Sequence, residues 1–303
     1  MELSFNPYFA FGWSVLCGFF MSMGAGGGGI LAGIGHISVL GITDANMIKV
    51  VNQILEFTSR VISVPLYHRQ RRMVWSLAVA YGLGAPFGAI AGSWFSQAYL
   101  SNMAAYRQVF GALVVLVAAR VLYEGWAKSA ARNTGLRRAR EASDRVQRNL
   151  QGAIGPQSNG PAMEYPRMIA FGWRKLTVRF ADHAFDFNPM LAAGGGFAIA
   201  FVGATLGVGG GFLVTPFMAS VLLFPMYLVV GTSLVALMVP LLVSVGTYLL
   251  LRVQVDWWLV LIEVPGVVLG SFAGPLLNRY MNEQALKTFV AVVLLAIGAY
   301  YIA

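Results

Sequence analysis

The sequence predicts an all-α polytopic membrane protein made of two repeats, each with about five apolar helical segments. The repeats are expected to be inverted, with glycine-broken helices meeting near the middle of the bilayer. Three observations predict this. Apolar runs recur along nearly the whole chain, one constant shift lays the first half on the second, and each half carries consecutive glycines in apolar surroundings.

The membrane class follows from composition and run length. Of 303 residues, 58% are hydrophobic and 11% charged, and the mean hydropathy is +0.69. A soluble chain carries about 25% charged residues. Runs such as "QVFGALVVLVAARVLY" (Gln108 to Tyr123) approach the ~20 residues that cross a bilayer. The beginning Met1, Glu2, Leu3 lacks a basic stretch and does not read as a signal peptide. Cys17 is the one cysteine, which excludes an internal disulfide and a multi-cysteine metal site, and it reads as core. Eleven of the 21 Lys and Arg lie between Lys128 and Arg179, although the net charge is +9 overall. Basic residues concentrated in one polar interruption signal topology and contact with anionic membrane lipid, not nucleic acid.

The repeat justifies each element in turn. "NPYFAFG" (Asn6 to Gly12) resembles "NPMLAAG" (Asn188 to Gly194), 182 positions on. The same shift lays Gly27, Gly28, Gly29 and Leu31 on Gly209, Gly210, Gly211 and Leu213. It also lays "SVL" (38–40) on "SVL" (220–222), Trp75 on Trp257, and "GAIAG" (88–92) on "GSFAG" (270–274). The domains are therefore a first transmembrane repeat (1–126), a basic cytoplasmic linker or small subdomain (127–187) and a second transmembrane repeat (188–303). Segments are expected at 7–23, 28–42, 45–67, 74–96 and 105–126, then 190–206, 210–224, 227–251, 257–277 and 285–303. The first two of each half either span separately or form a re-entrant hairpin. Within the linker, 136–150 reads as a basic helix, 152–161 as a flexible break, and "KLTVRFA" (175–181) as a short strand or a surface-lying segment.

Loop charge sets the orientation. "HRQRRM" (His68 to Met73) is the most basic short loop and belongs in the cytoplasm. The linker follows two crossings later, on the same side. The repeat counterpart, "LRVQVD" (Leu251 to Asp256), is nearly neutral, as opposed insertion requires. Both termini then face the periplasm.

The glycines pose the chemical question. In hydrocarbon an unsatisfied backbone group costs several kcal/mol, so non-helical backbone survives only beside protein or a wet cavity. Glycines at 24–29 and 207–211 end one helix and start another, which aims free N–H groups at the break. Two such ends facing each other make an anion site. The alternative is close helix packing, which is the better reading for "GLGAPFGAIAG" (82–92) and "GVVLGSFAG" (266–274).

"GVGGGFLVTPF" (207–217) followed by "VVGTSLVAL" (229–237) resembles the second-half signature of the sulfite exporter TauE/SafE family, also called the toluene-sulfonate uptake permease family. The paired halves, the linker and the later "GSFAG" match as well. The resemblance implies a transporter of sulfite, organosulfonates or related small anions in the bacterial inner membrane. Its motif elements carry over to Gly209, Gly210, Gly211, Thr232 and Ser233. The first half departs from the pattern, reading "KVVNQILEF" where the second reads "GTSLVAL".

That departure holds the membrane's polar residues. Lys49, Asn52, Gln53, Glu56, Arg60 and Ser63 fall at helical spacings on one face. Charges inside a membrane helix usually face the bundle interior or a wet cavity. Asn52 and Gln53 are expected to donate to substrate, with Glu56, Arg60 and Lys49 in coupling or gating. The alternatives are a structural Glu56–Arg60 pair, an Arg60 that snorkels, and a Lys49 that anchors at the interface. Thr232 and Ser233 either meet an oxyanion or bond their own helix. His36 and Glu263 are weaker candidates.

The leading function is alternating-access transport of a small anion, with H⁺ or Na⁺ as a possible coupling ion and no cofactor or metal. An anion channel is the alternative, and a scaffold or receptor using the basic linker a further one. No catalytic order or nucleotide loop points to an enzyme, and "GVGGG" lacks the Lys-Ser/Thr of a P-loop.

Overall fold

Asparagine followed by proline starts both halves of the chain. In the computed structural model, which describes residues 6–24, 27–126, 141, 165–180 and 183–277, Asn6 caps α1 (Pro7–Ser22) by accepting from the Tyr8 and Phe9 amides. Asn188 caps α7 (Pro189–Leu206) in the same way, through the Met190 and Leu191 amides. A short oxygen acceptor at the cap and a proline whose missing N–H costs nothing at the first helical position favour this start.

The described elements follow the predicted order. In the first half α1 is followed by α2 (Gly28–Ile34), a π-helical turn at Gly35–Val39, α3 (Ala45–Arg69), α4 (Trp75–Gly82), α5 (Ala85–Tyr99) and α6 (Met103–Trp126). In the second, α7 is followed by α8 (Gly211–Pro216), a π-helical turn at Phe217–Val221, α9 (Met226–Ala236), α10 (Met238–Leu250) and α11 (Trp257–Leu277). The expected segment 285–303, the helix at 136–150 and the break at 152–161 lie outside the described residues, apart from Glu141.

The duplication is visible in the backbone. The two π-helical turns stand 182 positions apart and bond alike: Leu40 N donates to Gly35 O, and Leu222 N to Phe217 O. The turns after them place Gly41 and Leu223, also 182 apart, at φ of 66° and 59°. Two differences have local causes. Where α3 is continuous, its counterpart breaks at Leu237, because Pro240 has no N–H for the Ala236 carbonyl. Where α11 is one helix, its counterpart bends by 43° between α4 and α5, at Gly84.

Apolar length supports a multi-pass membrane protein. Pro189–Leu206, Met226–Leu250 and Trp257–Leu276 are long and apolar enough to cross a bilayer, as is α4 with α5 if that bent pair is one span. At 25 residues α3 is long enough too, but it carries Lys49, Glu56 and Arg60.

Two glycine seams hold the halves together. A Cβ at Gly84, Gly88 or Gly92 would collide with backbone carbonyls of Ala193, Phe197 and Phe201 on α7. In the reciprocal seam, Gly266, Gly270 and Gly274 press on Phe11, Val15 and Phe19 of α1. Contacts advance together along both chains, so α5 runs beside α7, and α1 beside α11, in the same chain direction. Only residues without a side chain let helix backbones approach this closely. The packing reading of these glycines thus fits the structure.

The linker departs from the all-α class. β1 (Arg167–Ala170), β2 (Leu176–Phe180) and β3 (His183–Phe187) form an antiparallel sheet in the order β1-β2-β3. Alternation in "KLTVRFA" explains it: Leu176, Val178 and Phe180 are buried while Arg179 is exposed. Phe180 stacks on Tyr227, and Phe185 and Phe187 pack on Phe224. The Tyr227 hydroxyl donates to Gln70 O, and His68 lies against Tyr165. The sheet therefore sits at the same end of the molecule as the basic loop at 68–73.

Candidate anion site

Both glycine runs interrupt a helix, as expected, by different backbone routes. In the second half Gly207, Gly209 and Gly210 adopt φ of 68°, 62° and 76°, a left-handed conformation that favours glycine, and Gly211 opens α8. In the first half Gly24 takes φ of 67°, Gly27 is the N-cap at φ of −85°, and Gly28 and Gly29 open α2.

Ending α7 at Leu206 leaves its last carbonyls without helical donors. The Val208 and Gly207 amides reach Gly203 O and Ala204 O, and side chains supply the further donors. Ala204 O accepts from the Tyr248 hydroxyl at 2.9 Å and from Gln53 Nε2 at 3.4 Å. Thr205 O accepts from Ser96, and Leu206 O from the Tyr106 hydroxyl. Thr215 of α8 donates to Gly24 O at 2.9 Å, which ties one break directly to the other. The break is thus sustained in an apolar interior by donors drawn from α3, α5, α6 and α10.

Glu56 sits where the two breaks meet. A Cβ at Gly29 would overlap its Oε1, and a Cβ at Gly209 its Oε2. One carboxylate therefore explains why a residue in each half must be glycine. Glu56 and Arg60 are 2% and 3% exposed, and Arg60 Nη2 lies 2.7 Å from Glu56 Oε2. The contact is an ion pair without an aligned hydrogen bond, since Glu56 Oε2 and Arg60 Nε lack hydrogen-bond partners. Arg60 Nη1 donates to the Glu56 carbonyl.

A small cavity opens at this point. Its walls are Met21, Gly24, Gly28, Gly29, Glu56, Arg60, Gly211, Ser233, Leu234 and Leu237. It offers about 10 Å³ to the centre of a water molecule, roughly what one water needs. A sulfur oxyanion is larger, so the site is closed in this structure.

The remaining candidates from the sequence fall around the cavity. Asn52 and Gln53 are buried but do not line it: Asn52 Oδ1 meets His36 Nδ1 at 2.7 Å, and Gln53 bonds Ala204 O. Gln53 Oε1 and Asn52 Nδ2 have no hydrogen-bond partner. Lys49 is wholly buried, donates to Leu100 O and Asn46 Oδ1, and lies over the Tyr106 ring, also away from the cavity. Ser233 lines it while donating to Val230 O. Thr232 donates to Leu228 O and accepts from the Val74 amide, joining α9 to the start of α4. Gly210 packs on Ile199, and Gly27 caps α2. Thr215, Tyr106, Tyr248 and Ser96 carried no signal in the sequence, because single hydroxyls in apolar helices are ordinary.

The comparisons with known proteins agree with this geometry at the level of the family. No curated protein and no solved structure matches the chain. The family model described as sulfite exporter TauE/SafE matches residues 10–301, nearly its whole length. The glycine breaks, the duplicated halves and this match lead to one conclusion: the chain is a multi-pass membrane protein that belongs to the sulfite exporter TauE/SafE family, a family of membrane transporters for sulfite or related anions.

Proposed function

We propose that the chain is a secondary transporter moving a small anion, sulfite or an organosulfonate, across the bacterial inner membrane by alternating access. The observation that carries the reading is the meeting of both glycine breaks, one from each half, on a single closed cavity that holds a cationic side chain. Amides in the first turn of a helix have no acceptor within that helix, and Arg60 adds a full charge with an unpartnered Nε. Ser233 adds a hydroxyl at the wall. In the closed arrangement Glu56 neutralises Arg60; an incoming anion takes its place, which makes the Glu56–Arg60 contact a gate. Gln53, bonded to the Ala204 carbonyl, holds the end of α7 in position.

The halves are read as inverted in the bilayer, with the linker cytoplasmic and both termini periplasmic. Packing supports this reading. Ser59 meets Ser271, and Gln70 meets Pro275, so α11 runs alongside α3. By contrast α4 and α5, the repeat counterparts of α11, turn back from the loop at 70–74 and run the other way. Inverted halves with a shared central site suit rocking of one half against the other. The shared site between the two halves supports a carrier over a channel.

The test is flux into proteoliposomes across a panel of sulfite, sulfonates and carboxylates, with imposed pH and Na⁺ gradients. Saturable uptake of a sulfur oxyanion is expected. Uptake that does not exceed empty vesicles for any anion, or conductance at channel rates, overturns the proposal.

A further inference from the structure

We infer that His36 and Glu263 form a proton-binding latch between the halves, whose occupancy controls the closed anion site. The chemistry of the latch stands on its own geometry; its purpose rests on the transport reading above. His36 lies in the π-helical turn that continues α2, the short element whose first residues, Gly28 and Gly29, line the cavity. Glu263 lies on α11 in the other half, and each side chain is 1% exposed.

Hydrogen-bond polarity fixes where the protons are. His36 Nδ1 stands 2.7 Å from Asn52 Oδ1, an oxygen that only accepts, so Nδ1 carries a hydrogen and donates it. A neutral imidazole of that tautomer turns a lone pair from Nε2 towards Glu263, whose oxygens are 2.9 and 3.0 Å away. Two acceptors hold that separation only with a proton between them. With this proton, on nitrogen or on oxygen, the pair is neutral. Without it, a carboxylate faces a bare lone pair, the net charge is −1, and the contact joining α2's extension to α11 is lost.

The repeat supplies a control within the same molecule. Position 36 corresponds to Met218 and position 263 to Tyr81, and both are fully buried in one apolar cluster. Packing at this place in the fold is therefore satisfied without charge, although burying an ion pair is costly. Among the described residues, few other ionisable groups face the pair. From α1, the Cys17 thiol lies within electrostatic reach of Glu263. From α3, Lys49 and Glu56 stand one turn to either side of Asn52, engaged with Leu100 and Arg60 respectively. Asn52, which holds His36, stands one helical turn from Glu56 at the cavity wall along α3. At an effective dielectric of about 20, a unit charge ~10 Å from a bound anion changes its affinity on the order of tenfold.

Two measurements test this on the full chain in lipid. The first reads the proton alone. Nitrogen-15 NMR of the imidazoles is followed between about pH 5 and pH 9, with the His36 signal assigned by its loss in His36→Met. A His36 signal that titrates, and titrates differently in Glu263→Gln, is expected. A signal that stays fixed, or is indifferent to Glu263→Gln, overturns the latch. The second reads coupling with methanesulfonate, which is fully ionised near neutral pH and carries no proton of its own. Vesicles holding a pH dye should acidify as the wild type imports it. The variant His36→Met/Glu263→Tyr, which installs the residues of the other half, should keep anion exchange and lose at least tenfold of the proton movement. If that variant is poorly folded, Glu263→Gln takes its place. Proton movement that persists in a folded variant overturns the proposal. A wild type that moves no methanesulfonate counts against an organosulfonate as the substrate, and the NMR titration then decides the latch.

Discussion

The helix α3 and its repeat counterpart, α9 with α10, occupy equivalent places and do different work. The first is unbroken over 25 residues and buries Lys49, Asn52, Gln53, Glu56 and Arg60. At the corresponding positions the second carries Gly231, Leu234, Val235, Met238 and Leu242, and it breaks at Leu237. The backbone scaffold is duplicated down to its π-helical turns; the charge is not. A symmetric frame supplies two glycine breaks and two glycine seams, whereas the buried charged pair at the cavity, Glu56 and Arg60, comes from the first half alone.

The comparison breaks most visibly at Arg60. Arg60→Ala leaves the buried Glu56 carboxylate unpaired and should cost about 3–5 kcal/mol in an unfolding titration in lipid or detergent. Replacing both members with the residues of the other half, Glu56→Met/Arg60→Leu, should recover most of that stability while abolishing flux. A double variant as unstable as Arg60→Ala would mean that the pair holds the fold and not the site.

Next in size is Gly209→Ala. It strains a left-handed position by roughly 1–2 kcal/mol and drives a Cβ into the Glu56 carboxylate. Gly29→Ala meets the same carboxylate and, at 2.9 Å, the Val208 carbonyl, without the left-handed strain, and its loss should be the smaller. Adding Glu56→Ala should rescue both variants in part, since it clears the carboxylate from each. No rescue of either would show that the carboxylate is not what keeps these positions glycine.

The glycine seams should respond equally. Gly88→Leu on one and Gly270→Leu on the other each force a side chain into a neighbouring carbonyl, an overpacking of about 1–3 kcal/mol. Melting temperatures lowered by similar amounts fit reciprocal seams; a loss confined to one would show that the halves contribute unequally. The smallest effect belongs to the linker. Lys175→Ala removes an exposed pair with Asp186, 2.9 Å apart, and should change stability by about 0–1 kcal/mol with flux unchanged.

How much of this was legible in the sequence follows from what repeats. Asn6 and Asn188, the glycine runs and the Trp75–Trp257 match fixed segment order, because caps, breaks and seams act through local spacing. The stripe on α3 was legible as a buried face for the same reason. The partners across it were not. Asn52 and Gln53 looked suited to substrate, yet they turn to His36 and the Ala204 carbonyl, contacts 16 and 151 residues apart in sequence. Glu56 as the point where both breaks close is likewise a tertiary fact, since spacing along one helix says nothing of glycines 27 and 153 positions away. The linker sheet was half legible through the alternation in "KLTVRFA", which left a strand and a surface segment equally open.

The central claim is that the cavity beside Arg60, between the two glycine breaks, is where the anion binds. Selenite, the heavier analogue of sulfite, makes it directly visible by anomalous X-ray scattering from crystals of the full chain. One strong selenium peak is expected, walled by Gly28, Gly29 and Gly211, within hydrogen-bond distance of Arg60, with the Glu56 carboxylate displaced. Selenium bound elsewhere while Glu56 keeps its place between Gly29 and Gly209 would contradict it.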